Sequence, residues 1–178
     1  AGVIRGDGMS FRRSYDDGIR VRRIVMFRLA LADEEALQRS RRFLEEEGIE
    51  VRERMFSAAT SSRRAMNAIH TAAAAAVEKI DDIARDAHPE DDDWCAGFLS
   101  GVFDAEGSCS RGVLRITNKD PELLALISTA MENFGFLHVV EPARPNGVRA
   151  VRLLGGLPAR QRFFGVTQPA ITRKLGLD

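Results

Sequence analysis

The chain repeats itself, and that restricts its fold more than any other feature. Gly2, Asp7 and Gly8 recur 99 positions later as Gly101, Glu106 and Gly107. Arg28, Asp33, Glu35, Leu37 and Gly48 recur 87 positions later as Arg115, Asp120, Glu122, Leu124 and Gly135. Two copies of this length describe a pseudo-dimer of facing units rather than a stacked array. The drop in offset shortens the first hairpin of the second copy by twelve residues. The fuller copy of the opening helix runs from Trp94 to Gly107. Gly97 and Gly101 stand four apart on one face of it, where another helix can approach almost backbone to backbone. The run ends in Asp104, Glu106 and Gly107, a glycine suited to the left-handed position that stops a helix. Ala1 to Gly8 ends alike, in Asp7-Gly8, so packing the two glycine faces would bring Asp7 and Glu106 together.

Between these landmarks each half reads helix, hairpin, helix, hairpin, helix. Met9 to Tyr15 and Ile19 to Leu31 form a hairpin over Asp16-Asp17-Gly18. Asp33 caps a helix with Glu34 and Glu35 in its first turn, buries Ala36, Leu37, Ser40, Phe43 and Leu44, and is stopped by Gly48. Ile49 to Ala58 and Arg64 to Thr71 are two more strands, and Ala72 to Ala87 is a helix broken by His88-Pro89. The boundary falls there, giving repeats at 1–89 and 90–178. Glu90 to Asp93 forms an acidic start for the Trp94 helix, Val113 to Thr117 is a strand, and Asp120-Pro121 starts the helix that Gly135 ends. Phe136 to Pro142 and Val148 to Leu154 pair over Arg144-Pro145-Asn146-Gly147. Leu157 to Phe164 and Pro169 to Leu175 are short closing helices.

Leu99 to Gly107, L-S-G-V-F-D-A-E-G, resembles the LAGLIDADG motif of homing endonucleases. It keeps the leucine, the glycine, Asp104 and the final acid-glycine pair; Ala1 to Gly8 is a poorer copy that lacks the leading leucine and has Arg5-Gly6 where the family has aspartate-alanine. The resemblance implies an α+β fold of two pseudo-symmetric αββαββα repeats, with four-stranded antiparallel sheets forming a saddle over double-stranded DNA. It implies site-specific, Mg²⁺-dependent phosphodiester hydrolysis by a monomer with internal twofold symmetry. Val151 to Gly156, Arg162-Phe163-Phe164 and Pro169 to Lys174 resemble the endonuclease insert of bacterial inteins, and the start at Ala1 reads as truncated or excised. The chain shows neither a nucleophile at its first position nor a His-Asn end, so it is not itself a splicing domain.

The residues agree with that chemistry. Hydrolysing a phosphodiester calls for a cation, and hard cations such as Mg²⁺ prefer carboxylate oxygen. Asp7 and Glu106 would supply it from two helix C-termini whose carbonyls add negative charge, with Gly6 and Ala105, the residues before them, included in the metal site. Asp104 is read as structural, because its counterpart is Arg5. Lys119 and Lys174 are candidates for stabilising the transition state. The net charge is zero, from 26 basic and 26 acidic side chains, yet arginines crowd the strands while acids gather elsewhere. The proposed DNA contacts are Arg12, Arg13, Arg20, Arg22, Arg28, Arg52, Arg54, Arg64, Arg111, Arg115, Arg149 and Arg152, laid along the major groove as a β-ribbon.

His70, His88 and His138 share no ligand spacing, and Trp94 and the phenylalanines read as core. Cys95 and Cys109 read as reduced thiols of a cytoplasmic protein. No run reaches the length of a membrane span. A non-catalytic nucleic-acid binder of the same fold, an RNA maturase or a DNA-binding regulator, is the alternative function.

Overall fold

The computed structural model describes residues 1–16, 18 and 20–176, with the side chains of Val21 and Arg22 outside the description. Asp17 of the first turn and Ile19, the expected start of the second strand, lie outside the described residues.

A short helix, α1 (Gly2–Asp7), opens the chain, which forms two compact units, Asp7–Asp86 and a second made of Ala1–Gly6 with Ala87–Asp178. In the first, β1 (Gly8–Asp16) and β2 (Val21–Leu31) form a long hairpin, α2 (Glu34–Glu46) follows, then β3 (Arg52–Ser57), β4 (Met66–Thr71) and α3 (Ala74–Arg85). The four strands make one antiparallel sheet in the order β1-β2-β4-β3. Alternation decides its faces. Phe27, Leu29 and Ile69 point to the helices and are fully buried beside Leu37, Leu44, Val77 and Ile80. Ala36, Leu37, Ser40 and Leu44 of α2 are buried as expected, but Phe43 is 39% exposed. Asp33 stands at the N-cap position without making the cap hydrogen bond; its carboxylate accepts instead from Arg64 at 3.0 Å.

In the second unit α4 (Asp92–Glu106), β5 (Gly107–Ser110), β6 (Val113–Asn118), α5 (Pro121–Asn133), β7 (His138–Val140), β8 (Arg149–Leu153) and α6 (Gly156–Thr167) follow the same order. Its sheet, β5-β6-β8-β7, is again antiparallel and repeats the strand order of the first. Asp91 caps α4 through the N–H groups of Asp93 and Trp94, and Asp120 caps α5 through that of Glu122. Gly48 and Gly135 end α2 and α5 with φ of 72° and 64°, the left-handed turn expected of them. Phe98, Phe103, Ile116, Ile127, Val151 and Phe163 make the core, and Trp94 stacks on Phe98 with ring centroids 4.9 Å apart.

Two expectations at the chain's end are corrected. The helix at Leu157 begins one residue earlier and runs on to Thr167, and Pro169 to Leu175 holds only a 3-10 turn at Thr172–Lys174. Proline and the left-handed Gln168 (φ 46°) interrupt any longer helix there. No helix among the described residues is long and apolar enough to cross a membrane. Cys95 and Cys109 form no disulfide.

Candidate metal centre and nucleic-acid interface

Ala1–Gly6 packs on α4 through bare backbone. A Cβ on Gly2 would lie 2.2 Å from the Phe98 carbonyl oxygen and 2.5 Å from the Val102 nitrogen, and one on Gly101 would lie 2.7 Å from the Val3 nitrogen. Neither position tolerates a side chain without a backbone shift. Gly97 does not share this contact, since nothing stands within 4 Å of its Cβ position. At the other end of the helix pair Gly6 meets Ala105 and Glu106, with Glu106 Oε1 3.8 Å from the Cβ position of Gly6. Gly107 corrects a second expectation. It is extended (φ −84°, ψ 154°) and opens β5, and its lack of a side chain is required because a Cβ would fall 2.3 Å from the Phe103 ring.

Glu106 is held from the sheet. Asn118 Nδ2 donates to its Oε1 at 3.1 Å, while Asn118 Oδ1 accepts from the backbone N–H groups of Lys119 and Asp120 at 2.8 and 2.9 Å. One amide thus fixes both the carboxylate and the turn that leads into α5. Lys119 follows it in the chain and is exposed. Asn118 lies outside the motif, and the repeat gives it no polar counterpart, since the position 87 residues earlier is Leu31.

Asp104 is 4% exposed and accepts from the Ala170 and Ile171 N–H groups at 2.8 and 2.9 Å, tying α4 to the chain's last segment. Its structural reading stands. Lys174 ends at the helix C-terminus, donating to the carbonyl oxygens of Phe103 (3.4 Å), Asp104 and Ala105 (3.3 Å). An ammonium there neutralises the negative end of the helix dipole. Among the described residues no three His, Cys, Asp or Glu side chains cluster so as to hold a metal ion. Glu106 by itself offers the carboxylate oxygen that Mg²⁺ prefers, an ion that keeps much of its shell for water and phosphate.

Register sorts the arginines. On the first sheet Met9 pairs with Arg28, Phe11 with Met26 and Arg13 with Ile24, while Arg28, His70 and Arg52 form one row across β2, β4 and β3. These side chains lie on the face away from the helices. Arg13 stacks over Tyr15 at 4.5 Å and Arg28 over Phe56 at 4.4 Å. Arg54, two residues from Arg52, shares the face. Arg12 does not: with Ser10 it turns to the helix side and bonds Asp81 of α3. Burial pushes the Asp81 carboxyl up, but the Ser10 hydroxyl and the Arg12 guanidinium outweigh it and hold the group below its ordinary range. Arg64 sits in a loop, ion-paired to Asp33 at 3.0 Å, and Arg20 precedes β2. The Arg22 side chain is outside the described residues.

On the second sheet Arg115 and Arg152 are register partners, and both bond the carboxylate of Glu141, at 3.1 and 2.9 Å. Arg149 falls on the helix-side parity and donates to the Glu141 carbonyl at 3.2 Å. Arg111 occupies the β5–β6 turn with φ 51°. The proposed DNA set thus divides, because strand alternation sends neighbouring arginines to opposite faces.

Two four-stranded sheets of identical order, each preceded by a helix ending in acid-glycine, define a protein of the LAGLIDADG fold. Residues 93–157 match the LAGLIDADG-like domain family. The homing endonuclease I-DmoI in complex with DNA and Mn has the same fold, with TM-score 0.73 at 17% identity over 93% of this chain and 92% of that one. I-DmoI in complex with DNA and Ca superposes with TM-score 0.70 at 17% identity, over 99% and 93%. The N-terminal LAGLIDADG domain of DUF199/WhiA does so with TM-score 0.64 at 16% identity, over 93% and 77%. No curated protein matches the chain in sequence.

Proposed function

We propose that this protein is a site-specific endonuclease of double-stranded DNA, of the homing type, hydrolysing phosphodiester bonds with Mg²⁺ or another divalent cation held by Asp7 and Glu106. The observation that carries the reading is the glycine-to-backbone packing of Ala1–Gly6 on α4, which sets Gly6 against Ala105 and Glu106; Asp7 is the next residue in the chain. The bound cation would offset charge on the scissile phosphate and polarise the attacking water. In this proposal the chain's own part is to orient the carboxylates, Glu106 through Asn118, with Gly6 and Ala105 lining the metal site and Lys119 stabilising the transition state. Lys174 has the further task of balancing the end of α4. Arg13, Arg28, Arg52, Arg54, Arg115 and Arg152 face the duplex, with Arg20 and Arg111 at the sheet margins. The solved relatives bound to DNA with Mn or Ca support the same direction. The intein context and the cytoplasmic setting belong to this proposal.

One observation favours the second reading, a nucleic-acid binder that does not cut. The Ala105 carbonyl already accepts from Lys174, leaving less room for a metal at that oxygen. Incubating the full chain with a plasmid library of randomised inserts and Mg²⁺, then sequencing the linear ends, separates the two. The nuclease yields ends at one recurring site that vanish with EDTA, Asp7→Asn or Glu106→Gln, while both variants still shift duplex DNA. Duplex binding without ends under Mg²⁺ or Mn²⁺ establishes the binder.

A further inference from the structure

The outer face of the first sheet is apolar to a degree the fold does not require. Met9, Phe11 (38% exposed), Ile24 (48%) and Tyr15 stand in water beside Arg13 and Arg28. The second sheet supplies an internal control. Register sets Ser108 opposite Arg115 and Ser110 opposite Val113, so Ser108 and Ser110 occupy the positions that Met9 and Phe11 hold on the first sheet. The architecture is built equally well with serines there, so the apolar side chains answer to something outside the sheet.

From this contrast, and resting on the duplex-binding reading above, we infer that the first sheet reads a thymine-rich half-site through the 5-methyl groups exposed in the major groove. Interleaved arginines rule out an uncharged occupant and match a polyanion. Two of the three exposed rings on this face are poorly suited to stacking on unpaired bases, since guanidinium groups already cover Tyr15 and Phe56 at 4.5 and 4.4 Å. What remains open to a ligand is the Phe11 ring and the aliphatic surface of Met9 and Ile24, which suits a methyl group. In the major groove only thymine presents one, and apolar side chains recognise it there. The second sheet, with Arg115 and Arg152 fixed by Glu141, has no comparable surface on β5 and takes the other half-site by polar contacts.

The full chain is used to select from a random-sequence duplex library, and the selected duplex is remade with deoxyuridine for thymine, half by half. The expected result is a thymine-rich half in which each substitution weakens binding about fourfold, the effect of one buried methyl. Phe11→Ser and Ile24→Ser, both surface changes with folding checked by circular dichroism, should weaken the thymine duplex and erase most of the deoxyuridine penalty. Enrichment of a duplex whose affinity ignores deoxyuridine, or an equal penalty in the variants, overturns this inference and leaves duplex binding intact. Failure to enrich any duplex, with single-stranded RNA preferred or with self-association that the serine variants abolish, overturns both.

Discussion

Gly97 and Gly101 offer a matched pair in one helix. Replacing either with alanine changes helix propensity equally, by about 1 kcal/mol in favour of alanine. The surroundings differ. Nothing lies within 4 Å of the Gly97 Cβ position, whereas that of Gly101 is 2.7 Å from the Val3 nitrogen and 3.3 Å from the Gly2 Cα. Those neighbours are backbone and cannot rotate away, so overpacking should cost about 1–3 kcal/mol. Gly97→Ala is therefore expected to stabilise by about 1 kcal/mol. Gly101→Ala should be neutral to destabilising by about 2 kcal/mol, the propensity gain set against the clash. Urea unfolding followed by tryptophan fluorescence measures both, because the single tryptophan, Trp94, sits in the first turn of the same helix. Equal stabilisation by the two alanines would refute the backbone contact between the helices and remove the main support for the metal centre.

Asp104→Ala strands the N–H groups of Ala170 and Ile171 and should cost about 3 kcal/mol or more by the same fluorescence assay, since each bond to a buried carboxylate is worth about 1.5–3 kcal/mol. Asn118→Ala releases Glu106 and should lower cleavage about 10- to 100-fold, as loss of an outer-shell partner does, with duplex binding measured by mobility shift unchanged. Arg13→Ala and Arg28→Ala should each reduce the slope of log Kd against log salt by about one, while Arg12→Ala, whose guanidinium is engaged by Asp81, leaves the slope unaltered. Burial, Arg54 and Arg52 hold the His70 pKa below 6.5, beside a cleft also lined by Glu45 and Glu50. A base with a lowered folded pKa binds fewer protons than when unfolded, so His70 should cost stability as pH falls below about 6.5. His70→Asn should flatten that loss in acid unfolding curves. DNA phosphates would reverse the local field, so wild-type affinity should rise on acidification and that of His70→Asn should rise less.

The repeat, the element order and the capping residues were legible in the sequence because they rest on local chemistry. Asp120 caps its helix, Gly48 and Gly135 end theirs, and the branched, apolar content of β2 marks a strand, all within a few residues of chain, whereas Asp33, placed as a cap by the same local pattern, gives its carboxylate to the distant Arg64. Tertiary structure alone decided which of two equivalent-looking groups does the work. Gly97 and Gly101 are indistinguishable by spacing, and only the neighbouring backbone separates them. Arg12 and Arg13 are adjacent arginines, yet the pleat sends one to Asp81 and the other over Tyr15. Asn118 meets Glu106, and Glu141 gathers Arg115 and Arg152, across distances in sequence that no local pattern encodes. Propensity and capping are short-range energies written in neighbouring residues, whereas steric approach and charge pairing depend on where the remote chain returns.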